Sequence, residues 1–143
     1  VITMDHIVYL DYQSKELQFI LNNEKNIILR GATGRKLPYG RVQENDMLYF
    51  VNNNGEGLLK AKAIVQSVFF SEKLEKVDSE KLVDSLKTRV QLKQNVFNRF
   101  RGKRYISIIE IKQVSEIEHV TFNKDNFSNM DDWLLVEDIN AVL

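Results

Sequence analysis

The sequence predicts an α+β fold in which strands dominate and helices are inserted between them, a small β-barrel with peripheral helices. Three observations carry this. Apolar, β-branched runs recur along the whole chain. The longest of them alternates strictly, with Lys60 and Lys62 on one face and Leu59, Ala61, Ala63 and Val65 on the other. Helical spacing of apolar residues is confined to two stretches between strands.

Taken in order, residues 4–12 (MDHIVYLDY) read as a strand. Ser14 offers an N-cap, and Leu17, Ile20 and Leu21 follow at i, i+3, i+4, which predicts a short amphipathic helix over residues 15–24. Residues 26–30 (NIILR) form a compact strand. Residues 31–40 hold three of the six glycines and the only proline, Pro38, and read as a long loop. A strand over 46–51 (DMLYFV) and an Asn/Gly turn over 52–57 (NNNGEG) lead into the long strand Leu58–Phe70. Small alanines on its inner face suit a tightly curved sheet. Asp78 caps a helix carrying Leu82, Val83, Leu86 and Val90; a second apolar phase, Leu92, Val96, Phe97 and Phe100, does not join the first, which places a break near Gln91. Residues 105–114 (YISIIEIKQV) are a strong strand, residues 118–122 offer one more, and the tail around Asp131, Asp132 and Trp133 reads as irregular.

At 143 residues the chain is expected to be one domain, residues 1–143. With 43% hydrophobic and 28% charged residues it is globular in composition rather than disordered. Cysteine is absent, which excludes disulfides, cysteine-ligated zinc and a thiol nucleophile. The two histidines, His6 and His119, are far apart in sequence and give no metal-ligand cluster, so no metal and no cofactor is expected. His6, in an apolar strand, reads as a core or edge residue and His119 as exposed. No apolar run approaches the roughly 20 residues of a membrane span, and the N-terminal residues show no signal pattern. A cytoplasmic protein without a membrane partner is expected.

Twenty Lys and Arg balance 20 Asp and Glu, so a bulk polycation role is excluded and any nucleic-acid site must be a local patch. Two such patches exist. Residues 30–41 (RGATGRKLPYGR) contain Arg30, Arg35, Lys36 and Arg41, and residues 99–104 (RFRGKR) contain Arg99, Arg101, Lys103 and Arg104, neither with an acid. From Glu110 onward there are eight acids and only Lys112 and Lys124. Charge runs are commonly no more than solvated faces; if the two basic segments meet in space, they form one basic surface.

Nucleotide motifs of the standard kinds are missing. Gly31-Ala32-Thr33-Gly34-Arg35-Lys36 fails a Walker A, which needs four residues between its glycines and a Ser or Thr after the lysine. As the GxxG of a KH domain it sits between a strand and a proline instead of between helices. No Gly-x-Ser-x-Gly and no histidine with a patterned Ser and Asp supports a hydrolytic triad, and Asp131-Asp132 reads as a turn feature rather than a carboxylate dyad. Trp133 reads as a packing anchor, with base stacking as the alternative. The informative segment is residues 21–30 (LNNEKNIILR). Lys25 and Arg30 would point to opposite faces of one strand. They line one cleft only if Lys25 lies in the turn before it. A cleft with Lys and Arg suits a phosphate or a base carbonyl.

On these residues the chain resembles the ASCH domain family of the PUA-like superfamily. LNNEKNIILR is similar to that family's Gly-x-Lys-x-x-x-x-Arg signature, with Asn23 in place of the glycine. Residues 40–51 (GRVQENDMLYFV), 62–68 (KAIVQSV) and 105–114 are similar to its later barrel strands. The resemblance, which spans residues 7 to about 118, implies a PUA-like barrel of five or six strands around a cleft that binds RNA or a modified nucleotide. Some bacterial members hydrolyse the amide of N4-acetylcytidine with a Lys, a Thr and a Glu. Carried over, the Lys falls on Lys25 and the Thr on Ile28, which has no hydroxyl; Glu72, Glu75 and Glu80 are loose counterparts of the Glu. A ribonuclease activity is also proposed within the family, and nothing in these residues selects for it.

The expected function is therefore RNA or nucleotide-like ligand binding, with no catalytic residue assigned. Lys25 and Arg30 are placed at the cleft floor; Arg35, Lys36 and Arg41 contact phosphates. Tyr39 stacks on a base, and Lys60, Lys62, Arg101 and Arg104 extend the basic face. On this reading Arg30→Ala weakens binding and leaves the melting temperature nearly unchanged. The rivals are an amidohydrolase on a modified nucleoside and a protein-binding adaptor working through Trp133 and the acidic tail.

Overall fold

The computed structural model describes residues 2–123 and 132–143. Six strands form one curled sheet: β1 (Asp5–Leu10), β2 (Ile27–Ala32), β3 (Met47–Asn52), β4 (Leu58–Phe70), β5 (Tyr105–Thr121) and β6 (Trp133–Glu137). Their order across the sheet is β2-β5-β4-β3-β1-β6. All neighbours are antiparallel except β1 and β3, which the intervening α1 (Glu16–Leu21) and β2 allow to run parallel. A cluster of α2 (Lys76–Asp84), α3 (Lys87–Val90) and α4 (Gln94–Phe100) joins β4 to β5.

The curl follows from β4 and β5. Three register shifts interrupt their pairing, at Leu59/Ala61, Lys62/Ile64 and Val65/Ser67, and each bulge bends and twists the ribbon. Ala61 and Ala63 lie buried at the tightest part of the inner face, beside Val65. The interior of the half-barrel is filled by Val8, Leu10, Ile28, Phe50, Ile109 and Trp133 among others. On β2 the alternation splits the strand. Ile28 and Arg30 look into the half-barrel, while Ile27 and Leu29 meet Val83, Val90, Phe97 and Phe100 of the helical cluster outside.

The loop after β2 folds back on the sheet, with Leu37 and Val42 joining the interior. The helical break falls where the phases separate: Gln91 takes a left-handed conformation, φ 48°. Two cap assignments differ. α2 begins at Lys76, two residues before Asp78, and Ser14 does not cap α1; its hydroxyl accepts the Lys93 N–H at 3.1 Å. Residues 118–121 continue β5 rather than forming a separate strand. The tail is the larger correction. Trp133–Glu137 is a strand, paired antiparallel with β1 from the register Val8↔Trp133. The apolar run 133–136 (WLLV) is its local trace, and its partner lies at the other end of the chain.

Gly31 sits where β2, α4 and the turn after it converge. A Cβ there would meet Ile106 Cδ1 at 3.1 Å and both Lys103 Cβ and the Phe100 carbonyl oxygen at 3.3 Å. Since a backbone oxygen cannot swing away, Gly31→Ala is expected to cost about 1–3 kcal/mol of overpacking, read as a lowered urea midpoint at unchanged m-value.

Candidate nucleic-acid interface

The curled sheet does not close. β2 lies at one edge and β6 at the other, and Arg30 spans the seam between them. One terminal guanidinium nitrogen donates to its neighbour's carbonyl, Leu29, at 2.9 Å; the other reaches across to the Tyr9 carbonyl of β1 at 2.7 Å. The guanidinium carbon lies 5.9 Å from the centre of the Trp133 ring on β6, within cation–π range. Among its other donors, Nε–H is buried and has no hydrogen-bond partner among the described residues.

Trp133 is itself held from behind. Its indole N–H donates to His6 Nδ1 at 3.0 Å, which leaves His6 Nε2 as the protonated nitrogen, 2.8 Å from Asp46 Oδ2. Asp46 is fixed by the backbone N–H groups of Met4 and Gln43. His6 is therefore a core residue, and its tautomer is set by the two partners it joins. Burial pushes its imidazole below the ordinary value, and hydrogen bonding to Asp46 offsets this only in part. The stability consequence has a definite sign. Below about pH 6.5 the unfolded chain takes up a proton that folded His6 resists. The contribution of His6 is complete above that pH and declines as pH falls through its lowered folded value. Protonation of Nδ1 would also set two donors against each other at Trp133. Denaturant midpoints measured from about pH 7.5 to 5.5 should fall for the wild type, and His6→Gln, less stable throughout, should show no such decline.

Beside this support lies a cleft of about 60 Å³ lined by Arg30, Lys36, Tyr39, Tyr105, Ser107 and Trp133. The volume is far below the roughly 300–1,000 Å³ of sites that engulf a small molecule. It admits the edge of a base or one anionic substituent and leaves the rest of a ligand on the surface. Tyr39 forms one wall. Its hydroxyl donates to the Ser71 carbonyl, and its ring packs against Phe70 and Tyr105 at centroid distances of 5.4 and 5.2 Å. Arg35 lies over the Tyr105 ring at 5.7 Å. Arg35, Lys36 and Arg41 are exposed on the loop.

Lys25 lies elsewhere than the cleft floor. It is 2% exposed, and its ammonium donates at 2.6 Å both to Glu16 Oε2 and to the Val90 carbonyl at the end of α3. Burial holds this lysine below its ordinary value, with Glu16 opposing. Burial would raise the Glu16 carboxyl, but the Lys25 and Arg30 charges outweigh it and hold Glu16 low. Glu16 thus stands between the two cations; it lines a small hollow of about 40 Å³ together with Arg30, on the far side of Arg30 from Lys36. Arg30 is buried and bonded to two carbonyls, so its removal is expected to cost stability instead of leaving it untouched.

The other expected residues are spread more widely. Arg101 is held by Asp84, through Nε at 2.8 Å, and by Glu80 at 2.8 Å. Lys60 pairs with Glu56 at 2.6 Å and borders a separate hollow beside Tyr12 and His119; Lys62 is its neighbour on the same face. Arg104 is exposed at the start of β5. Ile28 is fully buried in the interior, and Glu72, Glu75 and Glu80 do not line the cleft. Trp133, 1% exposed, presents no surface to a protein partner. Asp131 lies outside the described residues, whereas Asp132 is described and lines the seam cleft beside Trp133.

This curled six-stranded half-barrel with a few helices has the α+β fold of a solved ASCH structure. The crystal structure of ASCH from Zymomonas mobilis superposes with a TM-score of 0.65 over 93% of this chain and 87% of that one, at 9% identity. Structures of a serine-to-alanine and a tyrosine-to-phenylalanine mutant of the same bacterial protein each give 0.63 at 10% identity, covering 96% of this chain and 92% and 94% of theirs. At such identity the likeness is one of fold. No protein-family model matches the sequence, and the search of curated proteins returns no match. No helix among the described residues is long and apolar enough to cross a membrane.

Proposed function

We propose that the seam cleft binds RNA or a nucleotide-like ligand. The observation that supports it is Arg30, a guanidinium fixed across the open edge of the barrel with its Nε–H unbonded. The walls supply aromatic rings, Tyr39 and Tyr105, for a base and Lys36 for a phosphate, while Arg35 and Arg41 are exposed on the same loop outside the lining. The nucleoside amidohydrolase reading lacks its parts here, since Ile28 carries no hydroxyl and Lys25 is committed to Glu16.

Trp133 is the chain's only tryptophan and lines the cleft, so its fluorescence reports on this site alone. A saturable change on titration with a nucleoside monophosphate or short single-stranded RNA, absent in Arg30→Gln, is the expected result. A flat titration at low salt with both ligands rejects the proposal.

A further inference from the structure

A second basic surface adjoins the cleft and points to the kind of ligand it takes. A shallow groove of about 510 Å³ lies on the other side of the ridge made by Gly31 and Phe100, which line both hollows. Its cations come from three elements: Lys76 at the start of α2, Arg99 and Arg101 at the end of α4, and Lys103 in the turn before β5. No acid lines it.

The glycines explain how these side chains gather. Gly102, at φ +88°, turns the chain sharply, and the Lys76 stem lies over it, 3.6 Å from where a Cβ would stand. Gly31 admits Lys103 Cβ in the same way, at 3.3 Å. Two of the four charges are partly answered, Arg101 by Asp84 and Glu80, and Arg99 by Asp11 at 3.9 Å. Lys76 and Lys103 have no ion-pair partner among the described residues.

We infer that this groove carries the phosphodiester backbone of a single strand whose neighbouring nucleotide occupies the seam cleft. The ligand is then an oligonucleotide rather than a free nucleoside. The inference rests on the proposed role of the cleft and adds the polymer to it. The small cleft volume agrees, since most of a bound ligand must lie outside it. Lys76 and Lys103 are the phosphate contacts, and Arg99 and Arg101 border the path.

The test compares a nucleoside 5′-monophosphate with an RNA tetranucleotide of the same base, on wild type, Lys76→Ala/Lys103→Ala and Arg30→Gln. Neither lysine is in the seam cleft, so the double variant should bind the monophosphate as wild type does. Its affinity for the tetranucleotide should fall about tenfold or more. The slope of log K against log salt should shrink by about 1.4, from two phosphates at roughly 0.7 each. Unchanged tetranucleotide affinity and slope in the double variant, with both ligands lost in Arg30→Gln, overturns the groove and leaves the cleft standing. Failure of both ligands to bind wild type at low salt overturns the cleft, and the groove with it. A DNA tetranucleotide run in parallel separates the two sources of such a backbone. Equal loss means that the groove reads phosphate alone, and loss on RNA alone means that the ribose hydroxyl is read as well; the strand lies in the groove in both cases.

Discussion

Lys25→Met should destabilise the protein by about 3–5 kcal/mol, the range for removing one partner of a buried ion pair. The lysine ammonium and the Glu16 carboxylate are both essentially fully buried and lie 2.6 Å apart. Without the lysine, Glu16 is left as a buried charge whose nearest compensation is Arg30, and the Val90 carbonyl loses its donor. The matched control is Lys25→Met with Glu16→Gln. A glutamine carbonyl can still accept the Asp11 N–H that Glu16 Oε1 accepts at 3.0 Å, and no charge remains to be solvated. The double variant should recover most of the loss, as buried pairs replaced whole often do. Urea denaturation of the three proteins reads the result. A single variant of near wild-type stability that has lost RNA binding would instead give Lys25 the ligand-contacting role that its position in LNNEKNIILR implied.

Arg30 carries the second large effect. Arg30→Gln should lower affinity for single-stranded RNA roughly 100-fold, about 2.7 kcal/mol. Arg30→Lys should lose at least about tenfold, because an ammonium lacks the planar fork that reaches the Tyr9 carbonyl while lying over Trp133. Both variants also lose stability, about 1–3 kcal/mol, since a carbonyl at the seam is left without its donor. Binding is therefore compared well below the melting transition, with the folded state checked by circular dichroism. Affinity retained in Arg30→Gln would make this arginine a clasp for the barrel edge and nothing more.

Much of the fold was legible because its signals are local. The alternation of Leu59, Ala61, Ala63 and Val65 against Lys60 and Lys62 is a property of seven consecutive positions, and the clash of apolar phases marks Gln91. What was illegible depends on partners far away in sequence. His6 and Trp133 are 127 residues apart, so the hydrogen bond between them leaves no local trace. The site divides along the same line. Arg30, Lys36 and Tyr39 share one short basic segment and do line one cleft. Lys25 stands five residues from Arg30, yet its ammonium is committed to a helix carboxylate and to a carbonyl 65 residues on. Charge counting marked Arg101 as part of a basic face, while Asp84 and Glu80, from α2, answer its charge. Lys76, outside every basic run, joins Lys103 only because Gly102 turns the chain beneath it.

The most direct test of the central claim is fluorescence anisotropy of labelled single-stranded RNA at about 50 and 200 mM salt, on wild type and Arg30→Gln. Saturable binding that weakens steeply between the two salts and is lost in the variant is the predicted result. Absence of binding at the lower salt, or equal binding by both proteins, would contradict a nucleotide-binding seam built on Arg30.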